Sequence, residues 1–186
     1  NHFTVYTPKP KALSVQYKDY VEWSNKSISA ESLEKQKNYW VETLKDASGE
    51  VTFKPDHSRP DVMTVEGKTH TFVVDPETRK KLEDFCTQYN VSPFMFFYAI
   101  WLITVYKNTG KTDVLIGSPV ANREHPDLEN MAGLFMNMIV LRAAYDSTDQ
   151  FVNMLQKIKQ VVSNGLDNGS YPFDNLLYDL DVVTEK

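Results

Sequence analysis

Cysteine is nearly absent from this chain: Cys86 is the one thiol in 186 residues, so no internal disulfide can form. The run Leu82-Glu83-Asp84-Phe85 before it reads as helix, and no Lys, Arg or His sits one turn away to hold a thiolate, which makes Cys86 a buried, inert side chain. Histidine is scarce too. His2, His57, His70 and His125 are scattered with no HxxxH or CxxC spacing, so no metal centre is expected. Positive charge is in deficit, with 20 Lys and Arg against 25 Asp and Glu and a formal charge of −5, and no basic stripe offers a footprint for nucleic acid. The longest apolar run, Phe94 to Val105, is too short to span a bilayer, and Asn1-His2-Phe3 lacks the basic, apolar and small-residue order of a signal peptide. No membrane partner and a cytoplasmic location are the resulting expectations. No internal repeat or low-complexity tract is present.

What remains is ordinary globular composition, 41% hydrophobic and 24% charged, enough for one domain or a piece of a larger one. Residues 1–12 carry Pro8 and Pro10 among lysines and read as an extended connection. Ser14 is a plausible cap for a short helix whose apolar face is Tyr17, Tyr20, Val21 and Trp23. A second helix opens at Ser29 or Glu31 and runs to about Lys45, with Leu33, Tyr39, Trp40 and Leu44 on its inner face. Residues 50–66 read as a surface linker. Lys68 to Val74 reads as a strand, followed by a helix that Asp75-Pro76-Glu77 starts and that reaches about Tyr89. Ser92-Pro93 begins the next helix, through Tyr106, so apolar all round that burial on most sides is expected. A helix with Phe151, Leu155, Ile158 and Val161 or Val162 on one face ends at Asn164-Gly165, and Tyr171-Pro172-Phe173 begins the last.

The most informative stretch is Asp113 to Arg142, DVLIGSPVANREHPDLENMAGLFMNMIVLR. Two apolar runs, Val114-Leu115-Ile116 and Met138-Ile139-Val140-Leu141, bracket a loop of roughly twenty residues, longer than most connections in compact domains and of a length that tends to carry function. Strands at 68–74, 113–119 and 136–145 alternating with long helices give an α/β fold, a mixed sheet covered by helices.

Gly117-Ser118-Pro119-Val120-Ala121-Asn122-Arg123, with Gly133-Leu134-Phe135-Met136-Asn137 downstream, resembles the condensation domains of nonribosomal peptide synthetases, where the second run reads IGxFVNT. Ala132, Met136 and Met138 depart from that pattern. Tyr17-x-Asp19-Tyr20-x-x-Trp23 matches the family's YxDYxxW, and Tyr171-Pro172-Phe173-Asp174 its HQDYPFExL, with Asn168-Gly169-Ser170 departing. The segment around Pro55-Asp56-His57-Ser58-Arg59-Pro60 resembles the family's LPTDRPRP.

The resemblance implies a chloramphenicol-acetyltransferase-like half of a condensation domain, residues 1–186 forming its C-terminal portion and 1–12 linking it to an N-terminal subdomain. The family's HHxxxDG motif, whose second histidine positions or deprotonates the attacking amine, is not in this chain, so no catalytic residue is expected here and this fragment alone is expected to be inactive. By the same resemblance, the loop from Ser118 to Gly133 floors a substrate tunnel, with Ser118, Asn122, Arg123, Gly133 and Asn137 as its site residues. Arg123 or Arg142 is the expected partner of the motif's aspartate, against the alternative of an arginine in water. Asn137 holds either a tunnel ligand or a structural hydrogen bond. The implied partners are the N-terminal subdomain, upstream and downstream peptidyl carrier domains and the adenylation domain of the same synthetase. No cofactor is bound directly; substrates arrive on carrier phosphopantetheine. Rival readings are a noncatalytic docking module and an epimerisation domain.

Overall fold

A computed structural model describes residues 12–27, 29–47, 53–58, 62, 64–123 and 125–181. Six helices and two strands follow in order: α1 (Tyr17–Ser27), α2 (Ala30–Leu44), α3 (Pro76–Gln88), α4 (Pro93–Thr109), β1 (Asp113–Val120), β2 (Asn137–Ala144), α5 (Phe151–Asp167) and α6 (Phe173–Asp179). Local chemistry sets most boundaries. Ser29 caps α2 by accepting from Ser32 N at 3.1 Å, Asp75 caps α3 through Thr78 N at 2.9 Å, and Ser92 caps α4 through Met95 N at 3.2 Å. Proline opens α3 and α4, and Gly110 closes α4 at φ +73°, a left-handed conformation that glycine takes without strain.

β1 and β2 form an antiparallel pair in register from Asp113 opposite Ala144 to Val120 opposite Asn137. Alternation puts Ile139, Leu141 and Ala143 on one face with Val114, and this face is the core. α5 crosses it closely: a Cβ at Gly165 would meet Leu141 Cδ2 at 2.7 Å, so glycine is what allows the approach. From α4, Tyr98, Ala99, Leu102 and Val105 are buried in the same core, and the Tyr98 hydroxyl donates to Leu141 O at 3.0 Å. Trp40 of α2 completes it, its indole N–H donating to Asn168 O at 2.8 Å.

The α/β class is as the sequence implies, with helices covering a sheet, but several local expectations are corrected. Lys68–Val74 is not a strand. Among the described residues the sheet is the β1–β2 pair alone, and Phe72 and Val73 are 75% and 90% exposed. Alternating, β-favouring residues make a strand only where a partner edge meets their backbone. α4 is not buried on most sides, since Phe94, Phe97, Ile100 and Trp101 are each more than 40% exposed. The sheet and α5 occupy one flank of it. The first helix starts at Tyr17, where Asp19 accepts from Gln16 N at 2.8 Å, rather than from a cap at Ser14. α5 runs past Asn164-Gly165 to Asp167 because Gly165 is a packing contact and not a stop.

Residues 53–58 and 64–66 are irregular and exposed, in keeping with a linker, while most of the 1–12 connection and part of 50–66 lie outside the described residues. No single helix among the described residues is long and apolar enough to cross a membrane.

Candidate functional site

β1 reaches Val120, so Ser118 is a strand residue opposite Ile139 and the loop proper is 121–136. Asn122 turns the chain out of β1 at φ +50°, a left-handed conformation that asparagine tolerates better than most side chains. Arg123 then folds back over the loop. Its Nη1 donates to the carbonyls of Leu128 and Met131, the latter at 2.9 Å, and its guanidinium carbon lies 4.1 Å from the centre of the Phe135 ring. A short 3-10 turn at Pro126–Leu128 follows His125, whose Nδ1 accepts from Asp127 N at 3.3 Å.

Leu128, Met131 and Phe135 form a small core of their own, and α1 closes it with Tyr17 and Tyr20. The Phe135 ring stands edge-on to Tyr17 at 5.3 Å and tilted to Tyr20 at 4.6 Å. The Tyr17 hydroxyl donates to Leu134 O at 2.8 Å. Leu134 and Met136, either side of the buried Phe135, are 74% and 60% exposed.

Asn137 begins β2, and its side chain is committed to the chain's own backbone. Nδ2 donates to Gly169 O at 2.8 Å and Tyr171 O at 2.7 Å, and Oδ1 accepts from Phe173 N at 3.2 Å. It ties the loop's end to the start of α6. An open hollow of about 320 Å³ nevertheless lies beside it, edged by Asn122, Met136 and Ser170. Beyond it, Tyr171 donates its hydroxyl to Asp179, which also pairs with Lys37 at 2.8 Å and so joins α6 to α2. The ammonium first, and then the Tyr171 hydrogen bond, hold the Asp179 carboxyl below its usual range; burial first, and then Asp179, push the Tyr171 phenol up to about 12.

Arg142 is paired inside the chain. Its Nε donates to Asp113 Oδ1 at 3.0 Å and its Nη2 to Oδ2 at 2.7 Å, a forked pair, while Nη1 donates to the carbonyls of Thr43 and Lys45. Within this chain the carboxylate that Arg142 pairs with is Asp113. Arg123, the other candidate, donates from Nη1 alone to two loop carbonyls and lies over the Phe135 ring, and among the described residues it forms no ion pair with a carboxylate.

Three of the quoted segments are thus brought together, α1 on the loop and the loop on the Tyr171-Pro172-Phe173 turn. The sequence did not reveal Asp113 as the partner of Arg142, nor the Lys37–Asp179–Tyr171 group. Asp113 and Arg142 bracket the informative stretch, and an opposed pair of strands would have placed them near each other. Among the described residues no three His, Cys, Asp or Glu side chains gather as metal ligands.

The family model described as the condensation domain matches residues 4–186. Bacitracin synthase 1 of Bacillus licheniformis is 32% identical over 167 residues, covering 90% of this chain and 3% of that protein. Tyrocidine synthase 3 of Brevibacillus parabrevis is 32% identical over 165 residues, 89% of this chain and 2% of its own. In fold, the chain matches the X-domain from teicoplanin biosynthesis with a TM-score of 0.80 at 19% identity, over 96% of this chain and 41% of that one. It matches the first condensation domain of the CDA synthetase with a TM-score of 0.76 at 17% identity, over 92% and 37% respectively. The chain therefore spans a few per cent of those synthases and under half of the solved domains.

Proposed function

This chain belongs to the condensation-domain family, and from that premise we propose that it serves as the C-terminal portion of a condensation domain that joins two carrier-bound substrates. The amine of an acceptor aminoacyl thioester attacks the thioester carbonyl of the donor, an amide bond forms, and the donor's pantetheine thiol leaves with the proton. Both substrates are held on phosphopantetheine arms of carrier domains, and the adenylation domain of the same synthetase loads them. The observation that carries this reading is the convergence of its motif segments, with Tyr17 and Tyr20 closing the loop core at Phe135 and Asn137 fastening the loop to the turn at Tyr171.

In this reading the histidine that handles the amine lies outside these residues. Arg123 and Asn137 act as positioning residues, shaping the loop and the hollow beside Asn122 and Met136. His125 is more than half exposed and spends its Nδ1 on Asp127 N, which suits a loop tie better than a base.

The test is turnover by the parent domain, with donor and acceptor carriers loaded and the amide product followed by mass spectrometry. Product from the parent and none from the isolated 186-residue chain agrees with the proposal. Turnover by the isolated chain, abolished by His125→Ala, overturns it.

One solved relative favours a second reading. The teicoplanin X-domain has been solved in complex with OxyB, and this chain matches that chain with a TM-score of 0.81 at 18% identity. A noncatalytic parent that binds a partner protein would give no amide product in the same assay.

A further inference from the structure

Between α1 and the 3-10 turn lies a hollow of about 210 Å³ that the proposed reaction does not use. Tyr20 and Trp23 wall one side, their ring centres 6.1 Å apart, and Val15 with the buried Leu128 makes an apolar floor. Two carboxylates, Asp19 and Asp127, stand at its rim. Asp19 uses one oxygen on Gln16 N, and Asp127 lies 3.6 Å from His125 Nδ1, a pair only when the imidazole is protonated. Among the described residues no lysine or arginine forms an ion pair with either acid.

An aromatic wall attracts a cation through the negative faces of its rings, and the rim carboxylates add Coulombic attraction of the same sign. The apolar floor asks for an aliphatic stem beneath that cation, and the volume holds one long side chain rather than a cofactor. We propose that this hollow docks the arginine side chain of a partner polypeptide. Its three methylenes run over Val15 and Leu128, and its planar guanidinium faces Trp23 and Tyr20 and forks to Asp127. Arginine fits better than lysine because a flat, weakly hydrated cation stacks on an indole and pairs with a carboxylate through two parallel N–H bonds. The inference is independent of the condensation reading.

The probe is an acetylated, amidated Gly-Arg-Gly tripeptide titrated into the ¹⁵N-labelled 186-residue chain, beside the Gly-citrulline-Gly and Gly-Lys-Gly peptides. Citrulline has the shape of arginine without its charge. Saturable shifts at the Trp23 indole and the amides of 125–128 are expected, with citrulline binding about tenfold more weakly. Asp127→Asn, a surface change, should weaken the arginine peptide about threefold at an unchanged Tm. No saturable shift, equal binding of citrulline, or no effect of Asp127→Asn overturns the cation site. Tighter binding of the lysine peptide overturns the guanidinium assignment.

Discussion

Tyr17 fills the space that a side chain at Gly133 would need. A Cβ there would come within 2.6 Å of Tyr17 Cε2, and the same tyrosine's hydroxyl donates to the next residue's carbonyl, Leu134 O, at 2.8 Å. Gly133 has no positive φ to require glycine; what requires it is the ring. Gly133→Ala should destabilise the chain by about 1–3 kcal/mol, because the ring must shift or the loop must lift. Tyr17→Phe keeps the ring and loses one bond, about 0.5–1.5 kcal/mol. Urea denaturation of Gly133→Ala, Tyr17→Ala and the double variant checks this: the two losses should be clearly less than additive, and strict additivity would mean that the residues do not meet.

Asn137→Leu should cost about 1–3 kcal/mol, since it strands the carbonyls of Gly169 and Tyr171 and the N–H of Phe173. Asn137→Asp keeps the acceptor for Phe173 but turns two attractive contacts into repulsive ones, so at neutral pH it should be no better tolerated. Amide exchange at the start of α6 should quicken in both variants. Unchanged melting and exchange would remove Asn137 from its place as a tie.

Arg142 makes both a forked pair and two carbonyl contacts, whereas among the described residues the Asp113 carboxylate hydrogen-bonds to Arg142 alone. Arg142→Met should therefore destabilise more than Asp113→Asn. The pair is partly exposed, which holds the loss from Asp113→Asn to about 1 kcal/mol or less. Arg142→Lys should recover little, because an ammonium cannot fork. Thermal melts of the three variants in one buffer would decide the order.

The Lys37–Asp179–Tyr171 group contributes to both ends of a pH profile, beside Asp75 and Asp146 on the acid side and Tyr39 and Tyr98 on the alkaline side. Asp179 has a folded pKa below its unfolded value, so its contribution is full above the unfolded value of about 4 and is lost as pH falls through the depressed one. Tyr171 is the opposite case: its phenol is raised to about 12, so its contribution is full below the unfolded value of about 10 and disappears as pH rises to about 12. Asp179→Asn should flatten the acid limb and soften the alkaline one. An acid limb of the parent's steepness in that variant would mean that other carboxylates set it.

Much of the fold was legible in the sequence because the signals were local. Ser29, Asp75 and Ser92 cap their helices through backbone groups three residues away, and Gly110 ends α4 through its own φ. Val114-Leu115-Ile116 and Met138-Ile139-Val140-Leu141 could be paired because alternation along each strand leaves one apolar face. The family likeness was readable from the order and spacing of short runs, and residues 4–186 do match the condensation-domain model.

Tertiary structure decided what depends on distant partners. α4 is apolar on every side, so no periodicity in its sequence says which flank is covered; the sheet and α5 choose Tyr98, Leu102 and Val105 and leave Phe94, Phe97 and Trp101 exposed. Lys68–Val74 has a strand's composition, yet a strand exists only where another edge takes its hydrogen bonds. Arg142 carries the same fork wherever it stands, and only the β1–β2 pairing brings Asp113 to it. Nothing local to Gly133 says why it is glycine; the reason is that α1, more than a hundred positions upstream, lays Tyr17 against it.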